Sequence, residues 1–300
     1  MPELPEVENL RRGLEWAILG ARVKRVSVKR PKLVSGKGNL RIASEKKRRA
    51  FIRGVTGEKF LAIERRAKNL VFKLSRGKII LAHLKMSGQF AYKSKIYNLK
   101  SVIGGHPIEI SETKLPNKHT HIIFELSKGT LYYNDTRMFG YVLYYPSLRS
   151  FEAENHFGLL GLEPFDVKFT AAYLFDTLEN KRSKIKAVLM EQKIVTGLGN
   201  IYADEALFTA GVRPTRSSSS ITPTEAKKLH SAIVSIMKRA TRVGGSSVAT
   251  YRLLDLSRGN YAREHQVYGK AGIPCPRCGT LLKRILVQSR GTVFCPRCQK

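Results

Sequence analysis

The sequence predicts an α+β chain: an N-terminal β-sandwich flanked by one helix, then a helical stretch ending in a small four-cysteine ribbon. Three observations carry this expectation. Apolar residues recur at helical spacing over the first twenty positions, short alternating runs follow between turn clusters from Val23 to Tyr145, and the period becomes helical again from about Asp166. At 300 residues the chain has room for one large or two modest domains, each with its own core.

The first element is the stretch PEVENLRRGLEWAILG. It puts Val7, Leu10, Leu14 and Ile18 on one face, with Pro5 near the start, early glutamates and a closing Gly20. The strand region follows with RVKRVSVKR, KIILAHL, HIIFEL and TLYYND, the last two separated by Ser127, Lys128 and Gly129. This fits a mostly antiparallel sandwich or barrel. The Gly/Ser/Lys-rich stretches near residues 35–48 and 93–118 read as loops or insertions.

Helical period then runs through TAAYLFDTLENKRSKIKAVLMEQ, NIYADEALFTAG and a segment opening Thr222-Pro223-Thr224-Glu225. That opening is a capping box with proline at the first helical position, and Gly244-Gly245 should end the helix. Ser217–Ser220 reads as an interhelical linker, and no internal repeat is visible.

Lys and Arg number 54 against 23 Asp and Glu, a net charge of +31 and a pI near 10.3. Such a balance favours a polyanionic partner, because phosphate contacts release condensed counterions. A strongly solvated surface and a lipid-surface binder are the plainer alternatives. The first thirty residues lack an uninterrupted apolar stretch, and no later segment approaches a membrane span, so a soluble intracellular protein is expected.

All four cysteines fall in the last 26 residues, as Cys275-x-x-Cys278 and, sixteen residues on, Cys295-x-x-Cys298. Two such knuckles match one tetrahedral structural Zn2+ site; an iron site or two reduced thiol pairs are the other readings. Between them LKRILV and TVF should pair as a hairpin with Gln288-Ser289-Arg290-Gly291 at its tip, holding Arg290 outward. His119 and His121 alternate as a metal pair would, but no further ligands accompany them, and no second metal is expected.

Removal of Met1 would expose the secondary amine of Pro2. An α-amino group titrates near ~8 against ~10.4 for lysine, so a useful neutral fraction exists near pH 7. Such an amine can attack an aldehydic sugar carbon and form an iminium, and the adjacent Glu3 can exchange protons with the opening sugar. The positive end of the following helix disfavours amine protonation. The plain alternative is a helix start with prolines and capping acids.

MPELPEVE, RRAKNL, HLKMSG, NDTRMFG, GLGNIYADEALF and the terminal ribbon, in this order from Met1 to Lys300, resemble the formamidopyrimidine-DNA glycosylase family. The resemblance implies a bifunctional glycosylase and abasic-site lyase of base-excision repair. It would remove formamidopyrimidine and 8-oxoguanine through a Pro2 Schiff base and then carry out β,δ-elimination. Pro2 would be the nucleophile, Glu3 the acid that opens the sugar, Lys68 the lysine near the lesion phosphate, and Arg290 the arginine of δ-elimination.

By the same resemblance Asn200 belongs to a helix-two-turn-helix phosphate site, and His83, His119, Arg137 and Lys181 contact DNA. Met86, Arg137 and Phe139 would hold open the stack left by an everted base. The expected organisation is a catalytic sandwich over 1–150, a linker over 151–165, a helix-two-turn-helix domain with a lesion-covering loop over 166–265, and a zinc finger over 266–300. The expected partner is double-stranded DNA carrying damaged bases or abasic sites, bound by a monomer in the cytoplasm or nucleoid, with no membrane. One structural zinc and no redox or nucleotide cofactor is expected.

Four departures from the family's usual wording stand out. Lys85 replaces a glycine, Met138 replaces a second arginine, residues 91–118 are longer, and the loop at 253–263 lacks a Gly-Lys-Pro-Gly turn. Two alternatives remain open: the same chemistry on oxidised pyrimidines, and a non-catalytic binder of damaged DNA.

Overall fold

The amphipathic stretch after the N-terminus forms α1, Leu4–Ile18, which buries Val7, Leu10, Leu14 and Ile18 and is followed by Gly20 at φ +73. Its first turn is closed by Glu6, whose Oε2 accepts the Glu3 amide at 2.8 Å. The computed structural model describes residues 1–38, 41–94, 102–105, 115–246 and 259–300. These fall into two units, Met1–Phe157 with Gly244–Gly259 and Gly158–Val243 with Asn260–Lys300.

In the first unit the alternating runs become β1 (Val23–Val28), β2 (Phe60–Arg66), β3 (Asn69–Leu74), β4 (Ile79–His83), β5 (Gly88–Ser94), β6 (Val102–Gly105), β7 (Thr120–Leu126), β8 (Gly129–Asp135) and β9 (Tyr141–Tyr145). They form a five-stranded sheet, β1-β7-β8-β5-β6, and a four-stranded sheet, β2-β3-β4-β9. Every strand pair in both is antiparallel. The inward faces share one core, and a run of rings crosses it from Phe60 to Phe72 (5.8 Å), to Phe90 (5.7 Å), to Tyr133 (5.1 Å).

One helix lies where the sequence reads as loop. Helix α2, Glu45–Val55, is capped by Ser44, whose hydroxyl accepts the Lys47 amide at 3.2 Å. Its EKKRR opening looks like a solvated run, and only Phe51, Gly54 and Val55 are buried. Helix α3, Leu148–Ala153, follows β9 and extends into residues expected to be linker. Gly244–Gly259, placed with the helical region in the sequence reading, group with the first unit, where the Ser246 amide donates to Glu6 Oε1 at 2.7 Å.

The second unit opens with α4, Ala171–Glu179, and α5, Ile185–Leu189, which divide a stretch that the sequence reads as helical in period throughout. The break is at Lys184, which is non-helical (φ −59, ψ 133) and bridges to Ser217, while the Ile185 amide donates to Arg216 O at 2.8 Å. Helix α6, Asn200–Ala210, ends at left-handed Gly211. Helix α7, Pro223–Arg242, has the reciprocal Thr222–Glu225 cap and stops before Gly244 and Gly245, at φ +89 and +81.

Strands β10, Lys283–Val287, and β11, Arg290–Phe294, form the predicted hairpin, but its turn is shorter than expected. Gln288 and Ser289 alone make it, both left-handed at φ +45 and +62, and Arg290 opens β11 opposite Val287. Most of the lesion-covering loop and of the 91–118 insertion lies outside the described residues. Among the described residues no helix is long and apolar enough to cross a membrane.

Candidate active site and metal centre

Pro2 and Glu3 are buried at the start of α1. The free amine of this chain sits on Met1, one residue before the proline nitrogen, and stands in for the amine that Met1 removal would transfer to Pro2. Burial lowers its pKa; Glu3 and Glu6 oppose this, while Lys68 and Arg137 push it lower. Two cations from distant parts of the sequence therefore act on the N-terminus together.

Lys68 reaches this place from the two-residue turn between β2 and β3, where Ala67 is left-handed (φ +55) and Arg66 pairs with Asn69. Its side chain is buried. His83 ends β4 in register with Asn69 on one side and Tyr141 on the other, and its Nδ1 accepts the Lys85 amide at 2.9 Å. Burial, helped by Lys85, Lys68 and Lys37, lowers its pKa to about 3, so the ring is neutral and carries its proton on Nε2.

Met86 in the β4–β5 loop and Phe139 in the β8–β9 loop are large apolar side chains left 40% and 39% exposed. Arg137 stacks its guanidinium 4.6 Å from the Phe139 ring centre. Asp135, fully buried, joins the two loops by accepting Ser87 Oγ at 2.5 Å and the amides of Arg137, Met138 and Gly140 at 3.2, 3.0 and 2.7 Å. A Cβ at Gly140 would lie 1.9 Å from the Tyr133 hydroxyl, so a larger residue there would displace buried Tyr133. His119 precedes β7 at this end, its carbonyl accepting the Asp135 amide at 3.0 Å. His121 is buried with Nε2 donating to Asp135 O at 2.8 Å, a structural role in place of a metal pair.

In the second unit Asn200 is the first residue of α6, and its Nδ2 donates to Gly291 O at 3.1 Å, next to Arg290 on β11. The same carbonyl accepts from Lys186 Nζ at 3.1 Å, a fully buried ammonium that also meets Thr292 Oγ1 and Asp204 Oδ1, each at 2.7 Å. Asp204 takes the Val293 amide at 3.1 Å. Burial pushes its carboxyl up to about 6 although Lys186 pulls it down. Neighbouring Glu205 accepts the amides of Gln266, Val267 and Tyr268 at 2.8 to 3.0 Å. Lys181, expected at DNA, lies 3.3 Å from Glu191.

The sequence reading missed Glu6, Asp135, Lys186, Asp204 and Glu205. Each makes at least one contact distant in sequence, although Glu6, Asp135, Asp204 and Glu205 sit inside quoted motifs.

The four cysteine sulfurs lie within 4.8 Å of one another, with Cys275–Cys298 at 3.9 Å and Cys278–Cys295 at 3.5 Å. A zinc tetrahedron with bonds of about 2.3 Å has sulfur–sulfur edges of about 3.8 Å, so these residues fit one structural zinc ion. Phe208, Val267, Leu282 and Val293 pack around them. Among the described residues no other such ligand group is found.

Comparison with known proteins covers the whole chain. The family description Formamidopyrimidine-DNA glycosylase N-terminal domain matches residues 1–142, Formamidopyrimidine-DNA glycosylase H2TH domain matches 160–252, and Zinc finger found in FPG and IleRS matches 272–300. Formamidopyrimidine-DNA glycosylase of Desulfitobacterium hafniense is 37% identical over 299 residues, covering 100% of both chains. That of Exiguobacterium sibiricum is 37% identical over 306 residues, covering 100% of this chain and 99% of the relative. Among solved structures, a Lactococcus lactis Fpg with DNA containing an abasic site aligns at TM-score 0.84 and 32% identity over 99% of both chains. A Lactococcus lactis Fpg variant with Fapy-dG-containing DNA aligns at 0.84 and 32% over 100% of both.

Proposed function

The chain belongs to the formamidopyrimidine-DNA glycosylase family and is a DNA glycosylase of base-excision repair, and from this we propose that it removes ring-opened and oxidised purines from duplex DNA using Pro2 as nucleophile. The observation that carries the mechanism is the company of the N-terminal amine: buried Glu3 beside it, with Lys68 and Arg137 both acting on its proton affinity. Burial and two cations favour the neutral amine that a nucleophile must be.

The Pro2 lone pair attacks C1′ of an everted nucleotide, the base leaves with the electrons of the glycosidic bond, and the N–H proton of the amine passes to the departing base. Glu3 gives a proton to O4′ as the sugar ring opens to the iminium. Loss of a C2′ proton expels the 3′ phosphate, and a second elimination expels the 5′ phosphate. Lys68 serves the first and Arg290 the second by balancing phosphate charge. His83, His119, Lys181 and Asn200 hold the DNA backbone, and Met86, Arg137 and Phe139 fill the vacated stack. The zinc holds the hairpin that presents Arg290.

Borohydride trapping on abasic-site duplex tests the nucleophile. Wild-type protein should form a covalent adduct and have lost Met1 by intact mass, while Pro2→Gly should form little adduct and keep much of its DNA affinity. Adduct mapped to a lysine with Pro2 free would overturn the mechanism. Single-turnover excision of formamidopyrimidine, 8-oxoguanine and 5-hydroxyuracil tests the substrate, and faster removal of the pyrimidine would overturn the purine assignment.

A further inference from the structure

Arg41 belongs to none of the sequence motifs, yet its guanidinium makes four hydrogen bonds at the sandwich end that carries Phe139. Nη2 donates to Met138 O at 2.6 Å and Gly140 O at 2.7 Å, and Nη1 donates to Phe139 O and Gly38 O, both at 3.3 Å. Three successive carbonyls of one turn thus converge on one planar group, whose fork geometry suits them as a lysine ammonium would not.

The Asp135 carboxylate in turn takes the amides of residues 137, 138 and 140. The turn is gripped by an anion on its donors and a cation on its acceptors. It needs gripping, because Met138 sits at φ +51, a left-handed conformation that costs a non-glycine residue on the order of 1 kcal/mol or more.

We propose that Arg41 is a positioning residue for base extrusion, holding the 138–140 backbone so that Arg137 and Phe139 present a fixed face to the vacated stack and to the orphaned partner base. This rests on the wedge assignment made above for Arg137 and Phe139. Base-bearing lesions need that face, whereas a bare abasic nucleotide has no base to evert and needs it little. Arg41 therefore separates excision from nicking, and it sets discrimination between partner bases.

The test compares Arg41→Gln, Arg41→Lys and Arg137→Ala with wild type in single-turnover excision of 8-oxoguanine opposite cytosine and opposite adenine, in nicking of a bare abasic site, and in thermal unfolding. Misplacing a positioned group by ~1 Å can cost on the order of a hundredfold, so both Arg41 variants should lose ten- to a hundredfold in excision. They should also narrow the cytosine-to-adenine ratio, while abasic nicking and melting stay close to wild type.

Wild-type excision and ratio in Arg41→Gln, with Arg137→Ala impaired, would overturn the proposal and leave the wedge reading intact. Parallel loss of excision, nicking and melting temperature would overturn it in favour of a purely structural arginine. Arg137→Ala without effect would fail the wedge reading, and the proposal with it.

Discussion

The Lys85 amide donates to Nδ1 of His83 at 2.9 Å, which leaves the His83 Nε2–H as the only donor of that ring. With burial and the charges of Lys85, Lys68 and Lys37 lowering its pKa to about 3, His83 contributes a neutral donor across the physiological range. DNA affinity should therefore show no step from this ring between pH 5 and 8. Nitrogen chemical shifts of His83 check this; a protonated ring at pH 6 would contradict it. Since the folded pKa lies below the unfolded value near ~6.5, stability from this group is full above that pH and is lost as pH falls toward 3.

Glu58 gives a second pH signature. Its carboxylate is fully buried, and although burial alone would raise its pKa, bonds from Lys78 Nζ (2.8 Å), Ser75 Oγ and Arg76 hold it at about 2. Stability from Glu58 is present above the unfolded value of ~4.3 and is lost as pH falls through about 2. Glu58→Ala should destabilise the sandwich by about 1–3 kcal/mol through stranded donors, seen in urea titration at pH 7. Equal stabilities at pH 7 would refute this.

For the metal centre, Cys275→Ala or chelation should release one zinc per chain and loosen the hairpin that begins β11 at Arg290. Metal analysis and amide exchange of residues 283–294 read this directly, and the strands of the first unit should keep their protection. Freshly purified protein without zinc would contradict the assignment.

Lys186 and Asp204, paired at 2.7 Å with neither side chain exposed, should behave as a unit. Lys186→Met alone should cost about 3–5 kcal/mol by leaving a buried carboxylate unpaired, and adding Asp204→Leu should recover part of that loss. A double-mutant cycle by chemical denaturation measures it, and additive losses would show the two groups to be independent.

Elements with one buried face were legible in the sequence. Val7, Leu10, Leu14 and Ile18 announce α1, and Thr222 with Glu225 announces α7. Helix α6 shows no such face, because Tyr202 through Phe208 are all buried, so only its GLGN opening and Gly211 mark it. Helix α2 was hidden by its basic opening, and the α4–α5 break depends on Ser217 and Arg216, more than thirty residues away. At the site, the motifs identify the side chains that would meet DNA. They do not identify Arg41, whose partners lie nearly a hundred residues on.

The Lys186–Asp204 contact also bears on inheritance. A lineage that loses either charge first passes through a protein with an unpaired buried group beside the Arg290 strand, so single steps at these positions should be disfavoured relative to the paired step. The two codons are expected to drift as one, and covariation between them among related chains would be the historical trace of a salt bridge no solvent reaches.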